Sequence, residues 1–246
     1  MDSEQISQPT QKALRTRQHI LNVALHLFAE KGYEATTMRD IAAEAGCSLG
    51  LTYRYFRRKE DLVLALYHWL VEQLEVHVHA LPEVSLADRF DQLLSELFLL
   101  MLPHRLTLAA LFGISLNTRS QAGLFSPDGA VIRQRAHLAY VTLVAGAKDA
   151  PRSTQIEEVA TMLYGLQLGL VVFWLQDVSE GAQKTRELLA LLHDVLQRMR
   201  FFLRLPGITQ LLTRTVRIIG PMFGYDVSVP DRSTQPDKKK VDGTLL

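Results

Sequence analysis

Between positions 37 and 59 the chain gathers Thr37, Arg39, Ser48, Tyr53, Arg54, Tyr55 and Lys59. These hydroxyls and fixed cations suit nucleic acid. Arginine and lysine neutralise phosphates, an arginine can offer two donors to guanine, and phenols donate to strand oxygens. From Lys12 to Lys59 nine basic residues stand against four acidic ones, although the whole chain carries a formal net charge of only +1. A charge excess confined to one end of a balanced chain marks a local nucleic-acid face.

Other chemistries find little support. There is no Gly-x-Ser-x-Gly, no Gly-x-Gly-x-x-Gly and no phosphate loop ending in Gly-Lys-Ser/Thr, so no enzyme class is indicated and no cofactor is expected. His77 and His79 are two apart and diverge on a helix; Glu75 with His79 makes too few ligands for a structural zinc site. The single cysteine, Cys47, excludes an internal disulfide and fits a reducing compartment. The start lacks the apolar core of a secretory signal. Val159 to Leu175 is mostly apolar but short for a bilayer and flanked by acids on both sides, so it reads as a buried helix. The expected location is the cytoplasm.

The elements that position the reactive residues are helices. Residues 1–13 are expected to be a disordered tail. A helix from about Thr16 to Lys31 places Ile20, Val23, Ala24, Leu27 and Phe28 on one face, and Gly32 stops it. Thr37 with Asp40 reads as a capping box, opening a short helix that Gly46 ends. Ser48 caps the next helix, which runs to about Phe56. Helix, short glycine-containing turn and second helix make a helix-turn-helix. Thr52 and Phe56 face inward, while Leu49, Gly50 and Arg54 lie on the opposite side; Leu49 or Leu51 suits a thymine methyl, and Gly50 permits close approach.

The run from Thr36 through Phe56, with Arg57-Arg58-Lys59-Glu60-Asp61-Leu62 beyond it, closely resembles the TetR family of bacterial regulators. The resemblance spans about Thr16 to Leu66. It rests on a Thr cap, an Ile-Ala pair, Ala-Gly, Tyr-x-Tyr-Phe and Lys-Glu in one order and spacing. It implies that Arg39 contacts a base or the backbone, and that Tyr53, Tyr55 and Lys59 anchor phosphates. Leu49, Gly50, Leu51 and Arg54 fall where the family varies its base readers, and Thr37 and Ser48 complete the DNA-facing set. Two residues depart from the pattern. Leu49 replaces a commonly polar residue, which makes readout there apolar, and Thr52 takes an aliphatic or aromatic position, which loosens the packing of the reading helix.

Beyond Lys59 the periodicity predicts helices to about His79, then over Leu86–Leu102, His104–Asn117, Ala130–Ala147, Ser153–Asp177 and Ala182–Leu205. The fold class is all-α: a three-helix head over 14–60, then a larger helical domain over 61–205 for effector binding and dimerisation. A C-terminal extension over 206–246 carries one amphipathic helix, Ile208–Ile219, expected to fold back on its own domain, and a polar tail. Two reading heads about 34–36 Å apart serve an inverted repeat, hence a homodimer on double-stranded DNA. Gly165 and Gly169 with Leu188 and Leu192 are the candidate interface, the alternative being that the glycines merely relieve internal packing. The resemblance implies a four-helix bundle there, and an effector that alters the separation of the heads. Phe98, Met101, Phe112, Tyr140, Tyr164, Gln167, Phe173 and Trp174 are candidate walls for a small apolar or aromatic effector. The resulting expectation is a ligand-released repressor. The rival readings are a regulator working through a protein partner and a helical ligand-binding module that no longer binds DNA.

Overall fold

A computed structural model describes residues 10–115, 123, 125–199 and 206–223. The described elements are helices: α1 (Gln11–Lys31), α2 (Met38–Glu44), α3 (Leu49–Tyr55), α4 (Lys59–Ala80), α5 (Leu86–Met101), α6 (Arg105–Ser115), α7 (Ala130–Ala145), α8 (Ile156–Gln176), α9 (Gln183–Met199) and α10 (Pro206–Ile219). The first begins at Gln11, five residues ahead of the apolar periodicity. The Thr10 hydroxyl accepts from Ala13 N–H, a polar start that hydrophobic spacing cannot reveal. Likewise Pro206 opens α10 two residues early, where its missing N–H costs nothing. The disordered tail expected over 1–13 is therefore helical from Gln11; its residues 1–9, the ends of two helices near 116–117 and 200–205, and the polar tail lie outside the described residues.

The caps follow their residues. Thr37 Oγ1 accepts from Asp40 N–H, while the Asp40 carboxylate accepts from Thr37 N–H at 2.9 Å, closing the capping box. Ser48 and Ser85 each accept from the N–H three residues on. Gly46 turns the chain between α2 and α3 at φ +61°, a conformation that a β-carbon resists.

Two layers of packing follow. In the head, Ile20, Phe28, Ile41, Thr52, Phe56 and Leu62 are wholly or almost wholly buried between α1, α2, α3 and the start of α4. In the body, α4, α5, α7 and α8 surround Phe90, Leu93, Tyr140, Leu143 and Ala160. Arg89 on α5 is buried, its guanidinium donating to the carbonyls of Leu143, Leu81 and Pro82, so one side chain gathers the ends of α4 and α7. Arg135 on α7 makes a two-pronged pair with Glu75 on α4 at 2.9 and 2.6 Å. The α9 helix lies on α5, where His193 bonds Asp88 at 2.8 Å, and α10 lies on α8. Two stretches, Leu86–Phe112 and Ser153–Gln176, match a membrane span in length and hydropathy; both pack against other helices here.

Candidate nucleic-acid interface and ligand cavity

The head presents α3 on its outer side. Thr52 and Phe56, four residues apart, turn inward and are 0% and 1% exposed. The other face is left to Gly50, Tyr53 and Arg54, all exposed, with Leu49, Leu51 and Tyr55 half-buried beside them. Thr52 does not loosen the helix: it is wholly enclosed, and its hydroxyl donates back to the Ser48 carbonyl at 3.2 Å, so its polar atom is satisfied. Leu49 packs partly on the core and also borders a concave recess with Thr37, Arg39, Tyr53, Arg57 and Lys59. Glu34 and Glu60 border the same recess.

Several predicted contacts have local duties. Thr37 Oγ1 donates to Asp40 at 2.6 Å and accepts from its N–H, so that hydroxyl is committed to the cap of α2, although Thr37 stays exposed. Ser48 accepts from Leu51 N–H and keeps its own proton to give. Lys59 donates to the Tyr33 carbonyl at 2.6 Å, and its ammonium stands 4.1 Å from the centre of the Tyr33 ring. Tyr33 in turn donates to Glu60 at 3.1 Å. Lys59 is thus a positioned cation with donors to spare, rather than a loose one. Tyr33 escaped the sequence reading because it sits in the loop before α2, outside any helical period.

Side-chain hydrogen bonds tie head to body, beside the packing of α1 on α6. On one side, Thr107 at the start of α6 is buried and donates to the Leu25 carbonyl of α1 at 3.2 Å. On the other, Arg58 at the start of α4 pairs with Asp128, just before α7, at 2.5 Å, while also bonding Asp61 at 3.1 Å. Arg58 counted in the basic patch, but nothing near it in sequence announces a partner 70 residues away.

The body holds an apolar cavity of about 300 Å³. Of the candidate residues, Met101, Phe112, Tyr164 and Gln167 line it, with Tyr67, Leu70, Val71 and Leu74 of α4, Leu108 of α6, Ile132 and Ala136 of α7, and Phe125 and Phe223. The remaining candidates need correction. Tyr140 stands behind the wall, stacked on Tyr164 at 5.5 Å and donating to Gln167 at 2.7 Å, so it orients the amide instead of touching the space. Phe98 and Trp174 pack on each other at 5.4 Å in the core. Phe173 is not on the wall and is 40% exposed. Burial raises the pKa of both Tyr140 and Tyr164, so these two phenols stay neutral.

The interface candidates divide too. A β-carbon on Gly165 would meet the Phe223 ring at 3.2 Å, so this glycine serves contact within the chain. Gly169 is exposed, with open space where a β-carbon would stand, and also borders the cavity. Leu188 and Leu192 are half-buried against the core. The more exposed apolar residues are Met162 and Phe173 on α8, and Leu191, Val195 and Met199 on α9. Among the described residues no group of three or more His, Cys, Asp or Glu could hold a metal ion.

Residues 20–66 match the family model described as bacterial regulatory proteins of the tetR family. The chain is 48% identical over 52 residues to the HTH-type transcriptional regulator AcrR of Shigella flexneri, a stretch covering 21% of this chain and 24% of that protein. It is 46% identical over 55 residues to the HTH-type transcriptional repressor KstR2 of Mycolicibacterium smegmatis, covering 22% and 26%. The chain therefore spans about a quarter of the length of these curated relatives. The fold likeness extends further. NalD of Pseudomonas aeruginosa, the secondary repressor of the MexAB-OprM efflux pump, aligns with a TM-score of 0.53 at 23% identity over 74% of this chain and 96% of that one. A tetR-family regulator from Streptomyces coelicolor gives 0.56 at 20% identity over 83% and 89%. The head over residues 20–66 thus matches the tetR family of bacterial regulatory proteins, and the helical body behind it has the fold of solved tetR-family regulators.

Proposed function

We propose that this chain is a transcriptional repressor of the cytoplasm, a binding protein and not an enzyme, which holds an inverted-repeat operator as a homodimer and leaves it when a small apolar ligand enters the body. Arg54 and Gly50 read base edges, with Leu49 or Leu51 against a thymine methyl. Tyr53, Tyr55, Arg39 and Lys59 grip the strands, and Ser48 offers its proton to a phosphate.

The observation that carries the reading is where the joints lie relative to the cavity. Leu108, on the cavity wall, follows Thr107, which bonds the head; Phe125, also on the wall, precedes by three residues Asp128, which pairs with Arg58. A ligand that displaces either wall residue pulls on a head contact. Binding then changes the head's placement only by as much as the ligand prefers one arrangement over the other. The second copy is supplied by α8 and α9. Met162, Leu166, Gly169 and Phe173 recur at helical spacing on α8, and Leu188, Leu191, Val195 and Met199 on α9, all half-buried or exposed. Apolar stripes on neighbouring helices suit a symmetric interface.

A mobility-shift assay with the DNA upstream of the chain's own gene tests this reading. A retarded complex that disappears on adding a hydrophobic ligand is expected. Retardation no stronger than on scrambled DNA overturns it.

A further inference from the structure

The C-terminal segment is used by neither DNA reading nor the joints. The α10 helix lies along α8: Val216 is 1% exposed, and the Thr213 hydroxyl donates to Glu158 at 3.2 Å. The turn after it, Gly220–Phe223, brings Phe223 onto the cavity wall. There the ring lies against bare backbone. A β-carbon on Gly165 would stand 3.2 Å from the ring's Cζ. Tyr164 meets the ring edge to face at 5.5 Å, and Phe125 meets it at 6.5 Å. All four residues border the same cavity.

One end of this pocket is therefore built from a segment distant in sequence, packed on α8 and, through its final turn, on α7. Its outward residues, Leu211 and Ile218, are 66% and 78% exposed. A wall made of a single aromatic ring, on a short turn, seated in the gap left by a glycine, is the part of a cavity that yields first.

We propose that Phe223 determines which ligands the cavity accepts. Its ring closes the Gly165 end and sets the length of apolar molecule that fits; longer molecules enter only by lifting Phe223 and the turn that bears it. This rests on the reading of the cavity as a ligand site. Among the described residues no charged side chain lines the cavity, so at its Phe223 end selection is by length and shape. A surplus methylene that the wall cannot accommodate costs about tenfold or more in affinity.

The test uses the full-length chain, the fluorescent probe N-phenyl-1-naphthylamine, and a homologous series of n-alkanols that displace it. Phe223→Ala is expected to shift the longest accepted alkanol upward, with about tenfold gain for the first homologue that the unmodified chain rejects. Phe223→Trp is expected to shift the limit downward. Phe223→Leu, a milder truncation, gives an intermediate limit and stands in should the alanine variant not fold. The same chain-length limit in all folded variants overturns the assignment of Phe223 while leaving the ligand cavity intact. Failure of the unmodified chain and every variant to bind the probe or any alkanol overturns the cavity reading itself, and the assignment with it.

Discussion

At the scale of single residues, two neighbours on α3 let the two proposed kinds of DNA contact be told apart. Tyr53 and Arg54 are both exposed, yet a phenol suits strand oxygens and a guanidinium suits the paired acceptors of guanine. Tyr53→Ala is expected to weaken binding to matched and scrambled duplexes alike. Arg54→Ala is expected to lose about 1–3 kcal/mol on the matched site and to relax preference at one base pair. Competition mobility shifts on both duplexes measure this, and equal losses for Arg54→Ala would refute its role as a reader. At the turn between α2 and α3, Gly46 holds φ +61°, so Gly46→Ala is expected to cost about 1 kcal/mol of stability although nothing lies within 4 Å of the added carbon. Thermal melting would register the loss.

Between elements, the pairs that matter are modest in energy and specific in place. Arg58 and Asp128 are each more than a third exposed, and such a pair contributes about 0–1 kcal/mol, screened further by salt. Asp128→Ala should therefore melt within a few degrees of the unmodified chain. What it should lose is communication. The ratio of DNA affinities without and with ligand is expected to fall by up to about fivefold, read by titrating the duplex with the ligand absent and then saturating. An unchanged ratio would remove this joint from the route.

The contact of α9 with α5 has its own pH dependence. The bond to Asp88 raises the pKa of His193, and the bonds from His193 and Ser85 lower that of Asp88. The histidine contribution is complete below its ordinary value near 6.5 and fades as pH rises through the raised folded value. The aspartate contribution is complete above its ordinary value near 3.9 and fades as pH falls through the lowered one. The pair thus helps most between about pH 4 and 6.5. The melting difference between the unmodified chain and His193→Gln should be greatest there and shrink toward pH 8. Both side chains are partly exposed, so the maximum difference is small, about 1 kcal/mol or less.

For the whole molecule, the proposed function needs two copies, because one α3 spans only a few base pairs. Val195 is 40% exposed on the apolar stripe of α9. Val195→Glu places a charge in the proposed interface, and unpaired buried charge is strongly disfavoured. A monomer by sedimentation, with operator binding lost and helicity kept, is the expected result; an unaltered mass would direct the search for the interface elsewhere.

Local chemistry was legible along the chain. The capping box of Thr37 and Asp40, the Ser48 cap, the inward pair Thr52 and Phe56 and the run of helices all follow from interactions within a few residues, and so from order alone. Four of the eight candidate wall residues line the cavity, since large apolar side chains on central helices must face something. Which of them border empty space and which pack on each other depends on how α4, α6, α7 and α8 cross, and that is set by packing across the body. The partnership of Arg58 with Asp128, the hold of Tyr33 on Lys59 and the arrival of Phe223 over Gly165 are likewise products of tertiary structure, because contacts between residues far apart in sequence leave no period or spacing to read.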